Sequence, residues 1–206
     1  MQSTLEENTV HPKLERISKV LGIVGWSSLW VQAGFGAASI LMLLFAITGR
    51  SFNQAVTPRP GVPVAGGYTQ GTTPGSGGII FWAVCGVLVL LFSVFMAFRI
   101  TRYAKRLRNP DSAVHPKKAE LMQLLKIAAI AGFIGMLLTI IGSSSSLSVL
   151  LAKSITEPQG VAIYDPTRTI RPIDIFGAIA NMSGIVSHFI GTSAAAGLFI
   201  WLHPEL

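Results

Sequence analysis

Four long apolar segments, divided into two pairs by a dense basic stretch, dominate this chain. They are Val20–Ile47, Ile79–Phe98, Ile127–Leu151 and Ile173–Leu202. A bilayer core is crossed by about 20 mostly apolar helical residues, so each is long enough to span. None contains Lys or Arg, and their one carboxylate is Asp174 at the edge of the last. Such segments have two ways to satisfy their backbone in lipid, helix or closed barrel, and runs of this length predict helices. The expected fold class is an all-α integral membrane protein with four transmembrane helices.

Half the residues are hydrophobic and 12% are charged, with a net charge of +7. The basic excess does not point to nucleic acid, because the cations lie between the spans. Lys13, Arg16 and Lys19 precede span one, and eight more lie in the connection 99–126. The remaining five, Arg50, Arg59, Lys153, Arg168 and Arg171, fall on the other side. By the positive-inside rule, both termini and the basic helical connection between spans two and three are cytoplasmic. The expected organisation is a polar and basic segment 1–19, span one 20–47, a Gly/Pro-rich exported loop 48–78 and span two 79–98. The basic connection 99–126, span three 127–151, an exported loop 152–172 and span four 173–202 follow.

The residues ahead of span one include Glu6 and Glu7 and lack the Arg/Ser-rich, acid-poor pattern of a transit peptide. The first apolar run is also longer than the h-region of a cleavable signal. The exported loop has many glycines but no Gly-Lys-Ser/Thr, so it is not a phosphate loop. Arg102, Lys105, Arg106, Lys117 and Lys118 form a surface for anionic lipid or an acidic partner.

Polar groups inside the spans are where function is sought. In span four, Gly177, Asn181, Gly184, His188, Gly191 and Ala195 recur at helical spacing and share one face, with Ser187 beside it. This face is either a close-packing seam or the lining of a substrate path. His188 is the one candidate metal ligand, and no Cys, Met or carboxylate accompanies it at helical spacing. Gln32 in span one is placed to partner Asn181 or the Ser143–Ser146 run, from which Ser144 is taken as a path residue. Serines in such a run either line water or bond back to their own helix. Lys153 and Asp174, both on the exported side, form a gate-like ion pair or mark the interface. No soluble-enzyme motif is present, and an enzyme is not expected.

Several motifs in order carry a resemblance. Ser18-Lys19-x-Leu21-x-x-x-Gly25 and Trp30-x-Gln32 open span one, and Ala152-Lys153-x-x-Thr156 follows span three. Asp174-x-Phe176 and Ser187-His188-Phe189-x-Gly191 mark span four. Together they resemble the small four-span chloroplast inner-envelope family described as a translocon component and as "permease in chloroplasts", with its cyanobacterial homologues. The resemblance implies an iron permease or permease subunit, with a scaffold or translocon-associated subunit as the alternative. It implies no resident cofactor, iron being cargo, and a homo-oligomer or membrane-complex partner. The lack of a transit-peptide pattern departs from the plastid form and points to a cyanobacterial plasma or thylakoid membrane. Carried over by position, Gln32, Lys153, Asp174, Ser187 and His188 are its candidate residues.

Overall fold

The computed structural model describes residues 12–54, 76–109, 111–156, 170 and 172–205. Expectations placed on 1–11, on most of the Gly/Pro-rich segment and on 157–169 lie outside the described residues. Four helices carry the fold: α1 Pro12–Gln54, α2 Ser76–Leu107, α3 Lys118–Thr156 and α4 Pro172–Glu205. Each is long and apolar enough to cross a membrane. All four run past the apolar segments, so α1 begins eight residues before Val20 and ends beyond Ile47.

The helices form a closed ring in chain order. α1 packs on α2 and α4, α3 packs on the same two, and α2 meets α4 across the middle. Neighbours are antiparallel. Gly22, Gly25 and Gly36 of α1 face Ala104, Ile100 and Leu90 of α2, one number rising as the other falls. Close helix approach at small residues is how helices associate in lipid, where apolar burial no longer drives them together.

Along the bundle axis the core changes character. At the basic end, Ile17, Leu21, Tyr103, Leu107, Leu121, Leu125 and Leu202 are buried. Lys13, Arg16, Lys19, Arg102, Lys105, Arg106 and Lys118 are exposed there. That is the pattern of a bundle standing in water. In the middle the pattern inverts. Leu88, Phe95, Ile130, Phe133 and Phe189 point outward, while Gln32, Ser93, Thr139, Asn181 and His188 are inside. The change falls near Trp26 and Trp30, an exposed edge-to-face pair 5.7 Å apart. Because Gly25 sits on Ile100, this pair is level with Arg99, and such rings favour a membrane interface. From Lys126 to Lys153, α3 rises about 40 Å at about 1.5 Å per residue, which matches a bilayer with its headgroups.

Side-chain contacts also fix the rim of the basic end. Arg108 Nε donates to Ser18 Oγ at 3.0 Å, and that hydroxyl donates to the Ala104 carbonyl at 2.9 Å. The guanidinium of Arg102 lies over Phe98 at 4.9 Å, and those of Arg99 and Arg106 lie over Tyr103 at 6.0 and 5.9 Å. Past α2, the Asn109 side chain accepts from the Asp111 N–H, and Asp111 accepts from the Ala113 N–H. These local bonds turn the chain into the short 3₁₀ helix Ser112–Val114 and on to α3.

Candidate functional site

The spacing along α4 that placed Gly177, Asn181, Gly184, His188, Gly191 and Ala195 on one face corresponds to the face turned into the bundle. Its partners are small or polar residues of the other helices. A methyl at Gly135 of α3 would fall on the His188 ring, and one at Gly142 would fall on the Asn181 amide. At Gly132 it would strike Thr192, and at Gly184 it would strike the Thr139 methyl. The α3–α4 seam is therefore a register of glycine against side chain, the glycine coming from α3 at three levels and from α4 at one. α1 joins the same scheme. A methyl at Gly191 would lie 2.7 Å from Gln32 Oε1.

The polar groups bond mainly to backbone and to their own helices, not to one another. His188, 1% exposed, donates from Nε2 to the Gly86 carbonyl of α2 at 3.2 Å. A carbonyl can only accept, so Nε2 carries the proton and Nδ1 keeps the lone pair. Asn181 Nδ2 donates to the Gly177 carbonyl at 3.1 Å. Gln32 Nε2 donates to Ser28 Oγ at 2.7 Å, so its partner is the serine one turn back, not Asn181 or the serine run. Ser187 Oγ donates to the Gln32 backbone carbonyl at 3.2 Å, and Ser39 Oγ donates to that of Ala180 at 2.8 Å. These two bonds tie α1 to α4.

His188, Asn181 and Gln32 thus each have a donor employed while their acceptors are not. Gln32 Oε1, Asn181 Oδ1 and His188 Nδ1 are fully enclosed and make no hydrogen bond, as do the hydroxyls of Ser93 and Thr192. An enclosed, unmet polar atom costs about 1–3 kcal/mol. Ser93 is absent from the residues picked out of the sequence. Ser144, by contrast, was expected on the path and is exposed on the outside of α3; Ser143 and Ser146 take the interior positions. Two serines of the run, and Ser148 beyond it, bond back to their own helix. Ser145, Ser146 and Ser148 each donate to the carbonyl four residues back, at 2.9 Å. Helical rotation of about 100° per residue separates Ser144 from its buried neighbours.

The polar layer is bounded at both ends. Toward the basic end lie Leu21, Leu125, Leu198 and Leu202, all buried. Toward the opposite end Lys153 Nζ meets Asp174 Oδ2 at 2.5 Å, the side chains 4% and 6% exposed. Lys153 lies in the last turn of α3 and Asp174 in the first turn of α4, so each charge also suits its helix dipole. For metal binding, His188 offers one imidazole nitrogen. Among the described residues no three of His, Cys, Asp or Glu come together as a ligand set.

The bundle, its polar layer and its basic end can be set beside known proteins. No solved structure matches the chain. It is 26% identical over 191 residues to "Protein TIC 21, chloroplastic" of Arabidopsis thaliana, covering 88% of this chain. The chain spans 56% of that relative's length. Residues 11–203 match the family described as "Protein of unknown function (DUF3611)", which takes in all four helices. The chain belongs to the DUF3611 family and is a homologue of that chloroplast protein.

Proposed function

We propose that this chain is the membrane subunit of a permease for a small cation, iron being the expected cargo. One observation carries the proposal. With the amides oriented as they are here, the unmet atoms at mid-bundle on Gln32, Asn181 and His188 are acceptors, while one N–H of each of these side chains is bonded. Such a layer complements a cation or the hydrogens of its water and repels an anion. The leucine layer and the Lys153–Asp174 pair close it on either side, as an occluded carrier requires. Neutral oxygen and imidazole donors suit ferrous iron, but one bundle supplies few of them. The working unit therefore includes a second copy or another membrane subunit. By the positive-inside rule the basic end faces the cytoplasm, in a cyanobacterial plasma or thylakoid membrane.

The test is ferrous iron uptake into proteoliposomes holding the purified protein, beside His188→Ala and Asn181→Ala. Uptake that both variants lose, with their melting retained, supports the reading. Full uptake by the double variant removes these residues from the path.

A second reading is a scaffold or translocon-associated subunit, and the basic end favours it. That end has a water-type core and a rim of exposed cations, including Arg102, Lys105, Arg106, Lys117 and Lys118, which suits an acidic partner or anionic lipid. Under this reading, charge reversal at Arg102, Lys105 and Arg106 disrupts co-purifying complexes while His188→Ala leaves them intact.

A further inference from the structure

We infer that Gln32 and Ser93 share one buried water molecule inside the bundle, a site that exists whether the protein conducts or only assembles. Three observations converge on it. A cavity of about 10 Å³ lies on the axis, walled by Gly25, Ser28, Gln32, Ser93, Gly191 and Ala195 among others. That volume is about what the centre of one water needs. Two of the wall residues, Gln32 and Ser93, carry enclosed polar atoms that make no hydrogen bond within the protein. The pairing does not depend on how the Gln32 amide is turned, because Ser28 engages only one of its two ends.

The ligand class follows from size and chemistry. A buried water makes two to four hydrogen bonds, and an apolar cavity of this size stays dry. Here the Gln32 amide, the Ser93 hydroxyl and the Ser28 hydroxyl supply up to three partners. The cavity admits nothing larger than one water. The other unmet acceptors, on Asn181 and His188, do not line it and instead press on Gly142 and Gly135. Hydration is therefore confined to one level of the polar layer. Small residues make the room: Gly25, Gly191 and Ala195, together with Ala97 and Ala128, leave the space that larger side chains would fill.

The experiment is water-to-protein polarisation transfer by solid-state NMR on the full chain in lipid nanodiscs, read at side-chain amide nitrogens. Asn181, equally buried but outside the cavity, is the internal reference. Transfer to the Gln32 amide is expected to build up several-fold faster than transfer to Asn181. Two variants fill or strip the site from α2. Ser93→Val removes one partner and adds bulk, and Ala97→Val fills the space without touching a polar atom. Either, in a sample whose remaining spectrum matches the unmodified protein, is expected to reduce Gln32 transfer to the Asn181 level. Equal transfer to Gln32 and Asn181 in the unmodified protein overturns the proposal. So does fast transfer that survives in whichever variant folds.

Discussion

Replacing Gly135 by alanine tests the glycine–side chain seam at its tightest point. The added methyl would fall on the His188 imidazole, which is 1% exposed and held to the Gly86 carbonyl. The ring cannot swing into solvent, so α3 and α4 must separate or the His188 bond must break. Overpacking a tight core costs about 1–3 kcal/mol. Losing a buried hydrogen bond adds about 1 kcal/mol. The expected destabilisation is therefore about 1–3 kcal/mol, rising to about 2–4 kcal/mol where the His188 bond is lost as well. Gly34→Ala and Gly197→Ala are matched controls, because a methyl at either meets no neighbouring atom within 4 Å. Their expected effect is neutral to stabilising, by at most about 1 kcal/mol from helix propensity. The assay is reversible unfolding in mixed micelles with increasing denaturing detergent, followed by far-UV circular dichroism. Because the two residues touch, the effects should not add. In a His188→Ala background the ring is gone, and Gly135→Ala should cost less than about 1 kcal/mol. An equal cost in both backgrounds would refute the reasoning, as would a Gly135→Ala protein as stable as the Gly34→Ala control.

Lys153→Met alone leaves the Asp174 carboxylate buried and should destabilise by about 3–5 kcal/mol, whereas Lys153→Met with Asp174→Leu should recover most of that in the same unfolding assay. Asn181→Leu removes an enclosed, unmet oxygen and is expected to leave stability within about 1 kcal/mol of the parent, while abolishing any iron flux in proteoliposomes. A large loss of stability would mean that the amide is structural. Single cysteines at Lys117 and Ser148 in a Cys85→Ala background report topology in intact cells or oriented vesicles. A membrane-impermeant thiol reagent added from the cytoplasmic side should reach Lys117→Cys and should not reach Ser148→Cys, which faces outward on α3 toward the far end of its membrane-crossing stretch.

The spans were legible because each is an apolar run free of Lys and Arg and long enough to cross a bilayer, and no tertiary contact is required to read that. The inner face of α4 was legible for the same reason of simple period, Asn181 and His188 standing seven apart among glycines. What these residues touch was not legible, since it depends on the antiparallel register of α3 on α4. Gly132 and Gly135 have the same spacing as Gly22 and Gly25, yet the first pair packs on α4 and the second on α2. The likeness is a shared means of close approach. Ser93 escaped notice because one hydroxyl in an otherwise apolar span forms no pattern; it acquires meaning only beside Gln32 of the neighbouring helix. Ser144 was misplaced because four consecutive serines look alike until one face of the helix is known. The length of the bundle at the basic end went unread, because the charge count used these residues only for topology. Leu14, Ile17 and Leu21 recur at +3 and +4 among Lys13, Arg16 and Lys19, which is the stripe of a water-facing amphipathic helix.

The same four helices obey opposite rules at different heights, and this limits how any solute could pass. At the basic end, leucines pack against one another with water outside, so burial of apolar surface holds the helices together. In the middle, lipid is as apolar as leucine, and that drive is absent. There the helices are held by backbone contact at glycines and by bonds such as Ser187 to Gln32, Ser39 to Ala180 and His188 to Gly86. Each is worth only about 1 kcal/mol. A polar path through the layer is therefore cheapest to open at mid-membrane, by exchanging a few such bonds for water. It is dearest at the leucine layer, where several buried side chains must leave one another together. On the permease reading, the basic end then sets the barrier to conduction. Smaller side chains at Leu125 or Leu202 would lower that barrier more than any change in the polar layer itself.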